Sequence, residues 1–350
     1  MKHIKKIIVW IMLSLFIQLS GLLYLDKFYF VNETSFKEKK VDVAAKKKVS
    51  KIDIKIPDKA TNITTSYDGK YLAYFVGETL KVLNTDNGEE KNVQLEDAAK
   101  VSYYKWLPDV NSIIIAEKYT SNKGNYLMLT NYDVAKNKKK DIKDERNGES
   151  GHIYLPDKKS EVEDIELSTL TNIIYVKIGN NGGKNALYSI NVMGQMEKKR
   201  INSYVTGNFV IFPHEDKLAY DDLTYHKVYV TGVQGAINIK GVTRPTAIAV
   251  DSDDRLYIGQ TEGEKIKKIF FGTIKEGTDN WKSIDLKVPA ERKDIYVSED
   301  GKVYANDNLR GVVTDLGTGM ETSYKGEFLQ MYNGGIASKT DNIVYKTPLK

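Results

Sequence analysis

Three features of the 350-residue chain predict an all-β fold, a seven-bladed β-propeller preceded by one N-terminal transmembrane helix. A unit of strand, turn, strand, loop and strand recurs seven times from about residue 60 onward. The seventh copy stops before its fourth strand. A lone alternating strand, with no repeat of its own, stands ahead of the first copy. The repeats are weak in sequence, which leaves six or eight blades as alternatives.

In chain order, residues 1–6 read as a cytoplasmic tail, 7–25 as a transmembrane signal anchor, 26–50 as a charged tether and 51–350 as the propeller domain. Residues 7–25 carry no charge, and as a helix rising about 1.5 Å per residue they span about 28 Å, close to the hydrocarbon thickness of a bilayer. Lys2, Lys5 and Lys6 precede the span, and Tyr24, Phe28, Tyr29 and Phe30 follow it as an aromatic belt would. No Ala-x-Ala-like site follows, which favours an uncleaved anchor over a signal peptide. The N-terminal lysines hold the tail inside and place the body outside a cell membrane crossed once, although Lys27, Lys37, Lys39 and Lys40 reduce the asymmetry. Residues 36–51, FKEKKVDVAAKKKVSK, form a solvated spacer. Lys46, Lys47 and Lys48 within it suit anionic lipid or wall polymer as an alternative role.

The repeats begin with SYDGKYLAYFVGETLKVLNTDNGEEKNVQL, residues 66–95. First strands and their turns recur as TTSYDGK, YYKWLPDVNS, IELSTLTN, VIFPHEDK, IAVDSDDR, IYVSEDGK and LQMYNGG, with turn centres 33 to 61 residues apart. That range brackets the roughly 40 to 50 residues of a four-stranded blade. Second strands such as YLAYF, SIIIAEKY and IIYVKI follow within a few residues. Third strands such as TLKVLNTDNG and ALYSINVMG mostly end in Gly, which takes the positive φ of a tight turn. Fourth strands such as KNVQL and KSIDLKV alternate as edge strands do. In SKIDIKIP, residues 50–57, Ile52, Ile54 and Ile56 alternate with Asp53 and Lys55. Pairing residues near 51–56 with residues near 342–347 supplies the missing outer strand and closes the ring.

SYDGKYLAYF resembles the strand-turn-strand of TolB-type and dipeptidyl-peptidase N-terminal-type propeller repeats, which are WD-repeat-like, and VSEDGKVY is a looser second match. The other five copies depart from the pattern. The resemblance implies a propeller of some 290 residues that binds peptides, acts as a scaffold or accompanies an enzyme domain. The dipeptidyl-peptidase comparison also implies an adjoining hydrolase domain with a Gly-x-Ser-x-Gly elbow. This sequence has neither that motif nor room for the domain.

Composition removes several chemistries. Cysteine is absent, and with it disulfides, thiolate metal sites, cysteine nucleophiles and a lipid-anchor cysteine. The formal charge of +5 resides at the N-terminus: residues 1–60 hold 13 Lys and no Arg against 6 acidic residues, leaving 39 basic and 41 acidic residues afterwards. No basic stripe interleaved with aromatics follows, so nucleic acid is not an expected partner. The four histidines, at 3, 152, 214 and 226, lack helix-borne ligand spacing, and no metal or cofactor is expected. DSDDRLYIGQTE, residues 251–262, has Leu256 where a calcium loop needs Gly and reads as a hairpin turn; GNNGGK, residues 179–184, lacks phosphate-loop spacing. Twenty-three tyrosines suit strands with one buried and one wet side.

In a propeller, the loops joining second to third strands and those joining successive blades gather on one face around the channel. Here they carry Tyr119, Asn122, Asn180, Asp221, Asp222, His226, Arg244, Arg292 and Asp307 as candidate ligand-binding residues. Arg244 and Arg292 would take carboxylates through their planar forks. The insertion at residues 144–164 offers His152, Ile153, Tyr154 and Leu155 as a partner-binding lip. No catalytic constellation passes the tests of residue type and spacing. The sequence therefore favours a membrane-anchored, extracytoplasmic, non-enzymatic propeller that binds or scaffolds a protein, peptide or cell-wall glycan. The alternative is a carbohydrate-active enzyme, a glycosidase or lyase, using carboxylates around the channel.

Overall fold

The computed structural model describes residues 2–24, 54–96, 99–121, 124–179 and 184–350. The chain divides into two compact units, Met1–Lys51 and Ile52–Lys350. In the first, Lys2–Tyr24 forms an α-helix. Among the described residues no helix is long and apolar enough to cross a membrane. The expected transmembrane anchor over residues 7–25 thus finds no support among the described residues. The tether expected over 26–50 lies outside the described residues.

The second unit is a seven-bladed β-propeller. Blade 1 consists of Ala60–Thr65, Tyr71–Val76, Thr79–Asn84 and Glu90–Asn92; blade 2 of Ala99–Trp106, Ser112–Ser121, Gly124–Asp133 and Lys138–Asp141. Blade 3 is Glu161–Ser168, Ile173–Gly179, Ala186–Ile190 and Met196–Lys199; blade 4 is Thr206–Ile211, Leu218–Asp222, Lys227–Val230 and Ala236–Ile237. Blade 5 is Pro245–Val250, Leu256–Glu262, Lys265–Gly272 and Lys282–Glu291; blade 6 is Ile295–Val297, Val303–Asp307, Val312–Asp315 and Glu321–Ser323. All seven sheets are antiparallel and follow one another along the chain.

Blade 7 takes Glu327–Tyr332, Gly335–Thr340 and Ile343–Pro348 from the C-terminus and its outer strand, Ile54–Lys55, from the other end. Ile54 lies opposite Val344 and Lys55 opposite Ile343. The Ile56 amide extends the pairing by donating to the Asn342 carbonyl at 2.8 Å. The expected closure is therefore present; Ile52, at its expected start, lies outside the described residues. Closing the ring leaves the last sheet without an open inner-to-outer gap.

The apolar core is divided among the blade interfaces. Seven clusters of buried side chains occur among the described residues, each bridging two neighbouring blades. At the closure, Ile54, Ile56 and Val344 pack with Leu72, Tyr74 and Leu83 of blade 1. Each second strand is flanked by two blades and is buried on both faces. That explains unbroken apolar runs such as Ile113, Ile114, Ile115 and Ala116, all at most 4% exposed. Tyrosines in these strands bury their rings and keep their hydroxyls bonded: Tyr74 donates to Glu90, Tyr175 to Asp216, and Tyr257 to Asp251 at 2.8 Å.

The two Ser-x-Asp-Gly-Lys turns share one construction. In the first, Ser66 Oγ and the Lys70 amide donate to Asp68 Oδ1 at 2.8 and 2.9 Å, and Gly69 sits at φ +67°. In the second, Ser298 Oγ donates to Asp300 and Gly301 sits at φ +79°. The motif is a turn device: Asp caps the turn and Gly supplies a conformation that L side chains rarely adopt.

The insertion after blade 2 is folded onto the sheet of that blade. His152–Leu155 forms a fifth strand that pairs with Asn125–Met128, alongside the Lys138–Asp141 strand that pairs with the far half of the same partner. Period-two alternation decides its orientation: Ile153 and Leu155 enter the core between blades 2 and 3, while Tyr154 is 72% exposed.

Candidate functional site in the propeller channel

The innermost strands line the channel, and their irregularities set what points into it. In six of the seven blades the pairing of first with second strand slips, for instance between Val101 and Tyr103, Val162 and Asp164, and Thr206 and Phe209. Slips of this kind bend a strand and re-aim its side chains. Just past two of them stand Tyr103 and Lys105 on blade 2 and Asp164 and Glu166 on blade 3.

These four side chains form one cluster across the blade boundary. Lys105 Nζ lies 2.9 Å from Glu166 Oε1 and 3.8 Å from Asp164 Oδ1, and the Tyr103 hydroxyl donates to Asp164 Oδ1 at 3.0 Å. Arg292, in the link between blades 5 and 6, interacts electrostatically with Glu166 and Asp164 on blade 3 and with Asp221 on blade 4. A side chain that reaches charges on both blades must face the common channel wall.

Burial governs the titration of the cluster. It raises Glu166 above the usual carboxylate range, with the Lys105 ammonium opposing. Burial alone would lower Lys105, but the Glu166 and Asp164 carboxylates more than offset that and hold it above its ordinary value. The Tyr103 phenol is raised by burial and then by Asp164. Water still enters the channel, since the side chains of Lys105 and Glu166 are 34% and 24% exposed. Chemically, the two carboxylates are engaged by Lys105 and Tyr103, so the cluster ties blade 2 to blade 3 and offers no unengaged acid. Among the described residues no group of three His, Asp or Glu side chains is arranged to hold a metal ion.

The candidate residues from sequence separate into buried ties and exposed loops. Asp221 is 4% exposed and accepts from Thr246 Oγ1 at 2.6 Å, the Ala247 amide at 2.7 Å and Asn208 Nδ2 at 3.3 Å, which fastens blade 4 to blade 5. Burial pushes its pKa up to about 6. Asp222, 1% exposed, accepts from Ser203 Oγ at 3.1 Å and the Thr224 amide at 3.0 Å. Arg292 donates to the carbonyls of Ala247, at 3.2 Å, and Ile248, so its fork is spent on backbone; burial lowers its pKa.

Tyr119 is 9% exposed and stacks on Tyr126 with ring centroids 5.0 Å apart. Tyr126 in turn meets His152 at 4.5 Å and Tyr154 at 6.4 Å. Asp307 caps its own turn by accepting from the amides of Leu309 and Arg310 at 3.1 and 3.2 Å. His226, at φ +51°, and Arg244 are exposed on loops of blade 4 and of the link to blade 5. Asn122 and Asn180 lie outside the described residues.

Sequence reasoning missed Lys105, Asp164 and Glu166. The signal was present in the alternation Asp164, Ile165, Glu166, Leu167, which marks one wet side on a strand. That the wet side faces a channel depends on the bulge before Asp164.

No protein-family model and no curated protein matches this sequence. Solved structures do match. A chain in the crystal structure of a mitotic checkpoint complex aligns over 85% of this chain and 92% of its own length, at TM-score 0.53 and 12% identity. The likeness is one of fold. It agrees with the seven-bladed propeller that the sheet order shows. A chain from a structural and mechanistic study of two prolyl endopeptidases aligns over 79% of this chain and 46% of its own, at TM-score 0.51 and 13% identity. This chain thus spans about half the length of that peptidase chain.

Proposed function

We propose that this protein is a membrane-tethered, extracytoplasmic, non-enzymatic propeller of the TolB-like type that holds a protein or peptide, or a cell-wall glycan, on its loop-bearing face. One observation carries the reading: the ionised groups of the channel are engaged with one another or with backbone, whereas the loops above blades 3 and 4 and in the link to blade 5 expose unengaged side chains. A binding surface needs that second kind of group; a general acid or base needs a free member of the first kind. Tethering is supported by the charge-free run at residues 7–25 and by the exposure of Trp10, Phe16 and Ile17 on the N-terminal helix. The extracytoplasmic placement is supported by the lysines ahead of that run.

The test is a cross-linked pull-down of the full chain from membranes, with the alkaline-washed membrane fraction assayed for the protein. Recovery of a specific partner together with membrane retention supports the proposal. Release from membranes by alkali removes the tether. Hydrolysis or elimination of a polysaccharide by the purified protein, abolished by Glu166→Gln, would replace it with the enzyme reading.

A further inference from the structure

Charge is segregated on the face that carries the loops between second and third strands and between blades. Above blades 3 and 4 and in the link to blade 5 these loops are residues 184–185, 200–205, 223–226 and 238–244. They hold Lys184, Arg200, Lys240 and Arg244, with Lys227 at the start of the strand that follows residue 226, and no Asp or Glu. Elsewhere on the same face both signs occur together, as in Asp58 beside Lys59, Asp157 beside Lys158, Glu264 beside Lys265 above blade 5, and Arg292 near Asp294. All five cations, Lys184, Arg200, Lys227, Lys240 and Arg244, are exposed, and among the described residues none has an ion-pair or side-chain hydrogen-bond partner.

Apolar groups sit among these cations. Tyr204 is 59%, Leu223 49% and Tyr225 72% exposed. The loops that present them are fastened together: the Leu223 amide donates to the Val205 carbonyl at 3.0 Å, and the Asn185 amide to the Tyr204 carbonyl at 3.2 Å. Thr246, two residues past Arg244, donates to Asp221, two residues before Leu223, at 2.6 Å. The patch is therefore a pre-arranged surface, which lowers the ordering cost of binding.

We infer that this face is the docking surface for an acidic peptide segment in which Asp or Glu flanks an apolar side chain. The inference rests on the binding reading above and names the partner's chemistry. Unpaired Arg and Lys call for carboxylates, which Arg grips in bidentate fashion. A purely anionic polymer would satisfy those cations but leave Leu223 and the two tyrosine rings in water. A peptide that alternates acid with Leu or Phe engages both, with the rings as anchors and the charges as the rim that speeds and selects encounter.

The probe is a phage-displayed library of random dodecapeptides panned on the full chain. Enriched peptides are then measured against the native protein, Lys227→Glu/Arg244→Glu, Tyr204→Ala/Tyr225→Ala and the neutralised Lys227→Gln/Arg244→Gln. Thermal melts verify that each variant is folded. The expected result is enrichment of acidic peptides bearing Leu or Phe, with affinity falling at least about tenfold in each double variant and falling again as salt rises to about 0.5 M.

Enrichment of peptides without acids, or acidic peptides whose affinity survives the charge reversal, overturns this inference and leaves the binding reading standing. Affinity that drops with the charge variants yet ignores Tyr204→Ala/Tyr225→Ala also overturns it, in favour of an anionic polymer. If no peptide is enriched while the membrane pull-down still recovers a partner, only the inference fails; if neither succeeds, both do.

Discussion

Asp221 should couple the stability of the ring to pH. Its carboxylate is 4% exposed, and although three donors point at it, burial raises its pKa to about 6, against about 4 in an unfolded chain. The folded state therefore binds this proton more tightly than the unfolded state. The resulting stabilisation is complete below about pH 4 and is lost as pH rises through about 6, at about 1.4 kcal/mol per pKa unit, which gives a swing of about 3 kcal/mol. Asp221→Asn keeps one acceptor oxygen for the Ala247 amide and cannot titrate. Urea unfolding of both proteins at steps from about pH 4 to about pH 7.5 isolates the group, because every other titration cancels in the difference. The native protein should lose about 3 kcal/mol relative to the variant across that range. A flat difference would refute the reasoning. A difference of the opposite sign would show that Thr246, Ala247 and Asn208 outweigh burial.

Three further outcomes follow from the packing. Lys105→Met should destabilise the ring by about 2 kcal/mol, less than in a dry site because water enters the channel, and adding Glu166→Leu should restore most of the loss. A double variant no better than the single one in urea unfolding contradicts the pairing. Ile153→Ala should cost about 2–5 kcal/mol while Tyr154→Ala costs no more than about 0.5 kcal/mol; equal effects would mean that the insertion is not a core strand. Gly69→Ala, where a Cβ would lie 2.8 Å from the Tyr332 ring, should lower the melting temperature more than Gly77→Ala, where the space is open, since both share a positive φ and differ only in the neighbour.

The blades were legible because each repeat carries a local signal. Period-two alternation, Asp-Gly and Asn-Gly turns and glycines at positive φ all act within a few residues, so the strand order around Ser66 and Asp300 followed from short segments. The closure was legible for a different reason: a seventh copy without a fourth strand and an orphan Ile54, Ile56 strand are complementary shortages. The strand in the insertion was not legible: Ile153 and Leu155 alternate with His152 and Tyr154 as an edge strand does, yet nothing nearby names Leu127 and Asn125 as partners. Pairing across such a distance is decided by the core between blades 2 and 3, which no local pattern displays.

The site was less legible for the same reason. Asp221, Asp222 and Arg292 sit in loops and strand ends where solvated groups are the rule, yet each is drawn into a bond with a neighbouring blade. Lys105, Asp164 and Glu166 sit in strands and reach the channel because bulges turn them there. Arg244 alone among the charged candidates is both exposed and unpaired among the described residues, and it now belongs to the basic patch above blades 3 and 4 and the link to blade 5.

The central claim is that the N-terminal strand closes the ring, and a register-specific cross-link tests it most directly. The chain has no cysteine, so Lys55→Cys/Ile343→Cys creates a single possible intramolecular disulfide between residues that face each other across the strand pair. Rapid oxidation of this pair, with a raised melting temperature that reverts on reduction, is the result the closed ring predicts. Failure to cross-link, or equally fast cross-linking of the shifted pair Lys55→Cys/Tyr345→Cys, would contradict it.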